Sequence, residues 1–175
     1  VQLIKRLHQA DPALYDEFGS CRSNMVSLVG GGGVLDFYDG RLRARDADGR
    51  IMVDGVHARN YPELLREEVK PWSYMKFPFL ADLGPQDGWY KVGPLARLQN
   101  CDSIPTPLAE AERCELIEHG QGMVIHAPLA YHWARMIEML HAAETLRDLL
   151  HDDDLSGSEL VTSGARQREG VGVIE

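Results

Sequence analysis

The chain has 175 residues, of which 27 are acidic and 18 are lysine or arginine, so its formal net charge is −9. This length can support a real hydrophobic core, and a hydrophobic fraction of 44% argues for a soluble globular protein rather than a disordered one. The negative charge, without any cluster of basic residues, excludes nucleic acid as the default partner. No apolar run reaches the roughly 18 residues that a membrane span needs.

Three cysteines at wide spacings, an odd number, predict no disulfide framework and favour a reducing cytoplasm: Cys21, Cys101 and Cys114. The chain starts with Val1 rather than Met, and it ends in Val171–Glu175, which has the pattern of an interrupted strand. We therefore expect a piece of a longer protein.

The first segment, 1–20, is predicted to be helical because Leu3, Ile4 and Leu7 fit one helical face. Asp11-Pro12 has the pattern of a cap followed by a first-turn proline, which indicates a second short helix.

The segment 25–56 changes to strand periodicity, with Asp39-Gly40 and Asp48-Gly49 between apolar or alternating residues. Asp-Gly turns between such segments predict an antiparallel β-meander, in which Val34–Tyr38 forms one strand. The arginines that share one face of this sheet must be solvated or must meet carboxylates: Arg41, Arg43 and Arg45.

The segment 57–127 is predicted to contain short helices at Tyr61–Val69 and Ala109–His119, with irregular proline-rich and aromatic-rich backbone over 70–108. The segment 128–150 is predicted to be one long helix, and 151–175 a loop followed by a truncated strand. The predicted class is α+β, mainly helical. The expected apolar side of the long helix contains Trp133, Ile137, Leu140, Ala143 and Leu150.

Two loop motifs have a functional and a structural interpretation. The glycines of Gly30–Gly33 could cradle a phosphate, but no Lys-Ser/Thr follows them, which favours a flexible hairpin turn. Asp46–Gly49 imitates the start of a calcium loop, but its glycine comes fourth rather than sixth, which favours a plain turn.

Two metal constellations are also weak. Glu138 and His141 form one Glu-x-x-His pair, but a di-iron bundle needs two, so a charged helix face with Glu144 and Arg147 is the simpler interpretation. A zinc set would require cysteines only two to four positions apart. The candidates Cys101, Cys114, His119 and His126 lack that spacing, and buried cysteines are the alternative.

Two longer segments resemble the middle of the large subunit of nickel–iron hydrogenases. They are Pro71–Phe79, with the sequence PWSYMKFPF, and Gly88–Leu98, with the sequence GWYKVGPLARL. Tyr131–Glu138 is similar to the His-x-x-Arg-x-x-Glu helix of that family, and Arg168–Glu175 to its strand before an Ala-Pro-Arg-Gly segment. The resemblance covers nearly the whole chain and looks closest to the cytoplasmic NAD-reducing branch.

The resemblance implies that the intact enzyme splits H2 heterolytically at a nickel–iron centre held by two Cys-x-x-Cys pairs. The chain has neither pair, so we expect no cofactor, metal ligand or catalytic residue in this segment, and no activity from it alone. The implied partners are the small subunit, which carries iron–sulfur clusters, and flavin-containing, NAD-binding diaphorase subunits. Glu68, Lys76 and Arg97 are candidates for orienting the metal site, with internal salt bridges as the alternative.

A second hypothesis is a metal-free interaction module, like the hydrogenase relative in the quinone-reducing respiratory complex. In either case, the segments that would cover the aromatic side chains of 70–108 are expected to lie outside this chain. We expect Trp72, Phe77, Phe79 and Trp89 to be partly uncovered, and the chain to self-associate through this surface.

Overall fold

The computed structural model describes residues 1–175 and has the α+β class that the sequence predicts. Two short helices open the chain, α1 (Gln2–Ala10) and α2 (Pro12–Glu17). The Asp11 side chain accepts a hydrogen bond of 3.1 Å from the Leu14 amide, so Asp11 caps α2 as predicted. Neither helix contains a fully buried residue, so the pair lies on the outside of the molecule.

The main sheet has four strands. Antiparallel pairing joins β1 (Asn24–Val29), β2 (Arg41–Arg45) and β3 (Ile51–Val56), which confirms the predicted meander. The short strand β6 (Tyr90–Lys91) pairs in parallel with the start of β1, so the strand order is β3-β2-β1-β6. Every residue of β1 is buried, because β1 lies between two other strands of the sheet and under a helix.

Two turns explain where the meander bends. At the β2–β3 turn, Asp46 accepts hydrogen bonds of 2.9 Å from the amides of Asp48 and Arg50, so this motif is a turn. The glycines form a 3₁₀ turn at Gly31–Gly33. The strand predicted at Val34–Tyr38 reduces to two isolated bridges, because the Asp36 side chain binds the following amides and turns the chain away.

A separate two-stranded hairpin corrects two of the predictions. The helix α3 (Tyr61–Leu64) is shorter than expected, because β4 (Leu65–Val69) pairs antiparallel with β5 (Lys76–Leu80). Backbone pairing with a distant segment therefore overrides the local helical pattern. The segment predicted to be irregular also contains α4 (Gly84–Asp87).

Three helices form the larger core. They are α5 (Pro94–Asn100), which also lies in the segment predicted to be irregular, α6 (Pro107–His119) and α7 (Ala130–Leu149). The last two confirm the predicted helices to within two residues. The buried apolar side chains of this core include Leu95, Leu98, Leu116, Trp133 and Ile137.

The end of the chain differs from prediction in two ways. Ala143 and Leu150 do not lie on the buried side of α7, and Leu150 is 66% exposed. Glu144 is buried there instead and accepts hydrogen bonds from the amides of Leu108 and Ala109 in the first turn of α6. A 3₁₀ turn follows at Asp153–Ser156. The truncated strand predicted at the end of the chain does not form, and the Glu175 side chain contacts the sheet by accepting a hydrogen bond from the Leu28 amide.

Candidate functional site

A charge cluster lies where α5 meets α7, centred on Arg97. The Arg97 guanidinium donates two hydrogen bonds to the Glu138 carboxylate, from Nε to Oε1 at 2.6 Å and from Nη2 to Oε2 at 3.1 Å. The two side chains are only 11% and 10% exposed. A bidentate pair at this depth fixes both the distance between the helices and their relative rotation.

Glu175 completes the cluster. Its backbone oxygen accepts a 2.8 Å hydrogen bond from Arg97, and its carboxylate Oε1 lies 3.6 Å from the same guanidinium. The carboxylate also accepts a 3.2 Å hydrogen bond from the Leu28 amide in β1. Burial raises the pKa of Glu175, and the charge of Arg97 only partly opposes that shift.

The pKa of Arg97 reflects the same competition. Burial acts to lower this pKa, but the hydrogen bonds and charges of Glu138 and Glu175 outweigh burial and raise it above the usual arginine value. The guanidinium carbon also lies 5.4 Å from the centre of the Phe37 ring, in cation–π range. Arg97 therefore stays charged, and the cluster holds it in one orientation.

A second charge network surrounds the arginines of β2. Arg43 donates two hydrogen bonds of 2.9 Å to Asp54 and a third of 2.9 Å to Asp102. Arg45 lies 3.2 Å from the other oxygen of Asp102. The sequence required either solvent or carboxylates for these arginines, and for Arg43 and Arg45 the structure provides carboxylates. This network joins the sheet to the loop after α5.

The other two candidate residues lie elsewhere. Glu68 in β4 forms an ion pair of 2.5 Å with Lys70, and Lys76 in β5 forms one of 2.6 Å with the exposed Glu67. Both belong to the same hairpin, but no contact links them to Arg97. The structure thus separates the predicted trio into one buried arginine and two hairpin ion pairs.

The burial of Glu138 was not predicted. A charged helix face with His141, Glu144 and Arg147 was the simpler interpretation, whereas Glu138 and Glu144 are buried and hydrogen-bonded. An available signal was that Glu138 lies four residues after Ala134 in the predicted helix, and so on the same face as an apolar residue. An acidic residue at such a position needs a cation nearby.

The cysteines do not form a metal site. The buried Cys101 thiol lies 3.7 Å from the Leu98 carbonyl, and burial raises its pKa to about 11. Cys114 is exposed and lies 3.6 Å from Glu110, while Cys21 is exposed elsewhere. The alternative of buried cysteines, which the spacing favoured over a zinc set, holds for Cys101 but not for Cys114. Three separated thiols cannot supply the four thiolates of a nickel–iron centre.

The aromatic run is uncovered, as predicted. Trp72 is 74% exposed and Trp89 60% exposed, whereas Phe77 and Phe79 are half-buried. Trp72 and Phe77 pack against each other, with ring centres 5.4 Å apart.

None of the helices combines the length and the apolar composition that crossing a membrane would require.

No family model matches the chain, but the relatives found by sequence comparison are of one kind. The chain is 39% identical to the NAD-reducing hydrogenase HoxS subunit beta of Cupriavidus necator and covers 36% of it. Its homologues are hydrogenase subunits. A subunit of the F420-non-reducing hydrogenase of Methanothermobacter marburgensis is 38% identical, with 37% of it covered. The chain thus spans a little over a third of these relatives, and each alignment includes all of the chain.

A solved structure matches both fold and sequence. It is the crystal structure of an NAD+-reducing [NiFe]-hydrogenase in the H2-reduced state, with a TM-score of 0.90 and 50% sequence identity. The match includes 99% of this chain and 39% of that chain. The fold described above is therefore one that occurs within a hydrogenase.

Proposed function

We propose that this chain is an internal segment of the large, catalytic subunit of a cytoplasmic, NAD-reducing nickel–iron hydrogenase. The observation that carries the proposal is the match of nearly the whole chain to the NAD+-reducing hydrogenase structure at half sequence identity. In the proposed assembly, the intact enzyme oxidises H2 reversibly. Its electrons pass through a small subunit with iron–sulfur clusters to flavin-containing subunits that reduce NAD.

The proposed role of the segment is that of a scaffold beside the metal-bearing parts of the subunit. Since the three thiols of this chain do not converge, the four thiolates would come from other segments. Arg97 is the candidate with the best support, because a bidentate pair and a buried carboxylate fix its guanidinium. Glu68 and Lys76 are secondary candidates, because each is already held in an ion pair within its hairpin.

A metal-free interaction module is the less favoured function, because the relatives found are hydrogenase subunits. The uncovered aromatic side chains suit both proposals. In the hydrogenase they would pack against neighbouring segments, and in a module they would contact a partner.

The proposal is tested by expressing the intact large subunit with its partner subunits and measuring H2-dependent reduction of NAD+ and of a viologen dye. We expect both activities from the intact enzyme and neither from the 175-residue chain. An intact complex that reduces neither NAD+ nor the viologen dye with H2 would contradict the proposal.

The role of Arg97 is tested in the same assay with Arg97→Gln and Arg97→Lys. The matched control is Arg147→Gln, because Arg147 lies exposed near the end of α7 and outside the family motif. We expect Arg97→Gln to lower kcat and Arg97→Lys to recover part of it, with the control unchanged. Equal kcat and KM in all variants would exclude a positioning role for Arg97.

A further inference from the structure

Three potential metal ligands from three helices converge at one point, and none of them belongs to the Arg97 cluster. His8 lies in the last turn of α1, Asp16 in α2, and His119 at the end of α6. The Nε2 atoms of His8 and His119 each lie 3.0 Å from the same Asp16 oxygen, Oδ1. All three ligand atoms lie within 4.8 Å of one another.

The two distances of 3.0 Å are close to what a tetrahedral zinc ion requires. Zinc–nitrogen and zinc–oxygen bonds of about 2.0–2.1 Å place neighbouring ligand atoms about 3.3 Å apart. Small rotations of the three side chains would therefore open space for an ion at their centre. Both histidines point the same ring nitrogen at the carboxylate, so no ring has to be turned over to become a ligand.

Aromatic packing holds the two imidazoles in place. Their rings meet edge to face, with centres 4.5 Å apart, and His8 also packs edge-on against Tyr15 at 5.8 Å. The ring of Trp133, a buried residue of α7, lies 6.4 Å from His8 and 5.7 Å from His119. A preorganised pair of imidazoles loses less conformational entropy when it binds an ion.

The site also has access to solvent and a suitable charge. Asp16 and His119 border an open cavity of about 350 Å³, from which a water molecule can reach a fourth coordination position. Lys5, whose amino group lies 5.7 Å from the centre of the Trp133 ring, is engaged by Glu112 at 2.6 Å and by Glu115 at 2.5 Å, which balance its charge. The net charge of −9 on the chain also favours a cation over an anion.

The ligand types indicate the metal. Two imidazoles and one carboxylate suit zinc and its spectroscopic substitute cobalt, whereas calcium and magnesium prefer sites made entirely of oxygen. We propose that His8, Asp16 and His119 bind one Zn²⁺, which fastens the two N-terminal helices to the end of α6. The ion would add to the Lys5 ion pairs that already join α1 to α6, and it would include α2, which contains no buried residue.

The test is calorimetric titration of the chelator-treated chain with zinc chloride, with its thermal midpoint followed in parallel. We expect one zinc per chain and a midpoint that rises with zinc concentration. His119→Ala and His8→Ala should each weaken binding more than about tenfold, since even residues that only orient ligands contribute about 10–100-fold. His132→Ala is the matched control, because His132 is an exposed histidine of α7. The zinc affinity of this variant should equal that of the wild-type chain.

A conservative variant separates ligation from folding. His119→Cys loses the imidazole–carboxylate hydrogen bond but keeps a zinc ligand, so we expect it to recover binding and to add a sulfur-to-cobalt charge-transfer band with Co²⁺. The wild-type chain with Co²⁺ should show tetrahedral visible bands and quenched tryptophan fluorescence, because Trp133 borders the site. Zinc binding that is absent, or equal in wild type and His119→Ala, would overturn the proposal.

Discussion

Removing Glu138 should expose how much the fold depends on the Arg97 pair. Arg97 is 11% exposed in the wild type, and in Glu138→Ala it loses both hydrogen bonds to Glu138. It keeps the 2.8 Å hydrogen bond to the Glu175 backbone oxygen, and the Glu175 carboxylate at 3.6 Å is then the only negative charge paired with it. Breaking one side of a buried pair costs about 3–5 kcal/mol. The remaining carboxylate and the slight exposure reduce this, and we expect a loss of about 2–4 kcal/mol in the free energy of unfolding.

Urea denaturation of the 175-residue chain, followed by circular dichroism, measures this loss as a lower urea midpoint. The slope m of the unfolding free energy against urea concentration should stay unchanged. Arg97→Met/Glu138→Leu/Glu175→Gln should recover most of it, because apolar side chains of similar volume replace the pair and the buried Glu175 carboxylate is not left without a cation. Arg135→Ala, an exposed change on the same helix, controls for the loss of helical side-chain contacts. The reasoning fails if Glu138→Ala stays within about 0.5 kcal/mol of wild type, the usual range for surface changes.

Three further predictions concern single groups. With a thiol reagent at pH 8, the exposed Cys21 and Cys114 should react in the native chain. Cys101, whose pKa burial raises to about 11, should react only on unfolding, and a fast third thiol would contradict this. The hydrogen bond from Arg43 lowers the pKa of Asp54 below its usual 3.8, so Asp54 adds stability that is complete above that pH and lost as pH falls through the lowered value. Asp54→Asn should flatten the acid limb of a plot of urea midpoint against pH, and an unchanged limb would refute the link. Trp72→Ser should shift any oligomer of the isolated chain towards monomer in light scattering, since Trp72 is 74% exposed, and a wild-type chain that is already monomeric would refute self-association.

Local signals in the sequence predicted the elements that local chemistry determines. The cap at Asp11, the turn at Asp46–Gly49 and the long helix all form where the residues indicate. The helix predicted through Val69 fails because its second half finds a strand partner at Lys76–Leu80, and that pairing is not visible in the residues themselves. Element identity thus follows local propensity only where no distant backbone competes.

The charge clusters were less predictable for the same reason. Arg97 was a candidate only through the family resemblance, and its partner Glu138 lies 41 residues away on another helix. His119 and Asp16 are separated by 103 positions, and the sequence offered His119 only as part of a zinc set with cysteines. Spacing rules detect ligands that lie near each other in the chain, whereas these ligands are brought together by helix packing.

One short helix links the charge clusters to each other. Arg97 ties α5 to α7 and to Glu175, while the fully buried Asn100 of the same helix donates hydrogen bonds of 3.0 Å to Ser27 and 3.2 Å to the Arg43 carbonyl. Since α5 has only two turns, it cannot rotate or slide without breaking contacts to both the sheet and the helices. In the proposed subunit, α5 would therefore hold Arg97 rigidly with respect to both halves of the scaffold, which is the condition for orienting a neighbouring metal site.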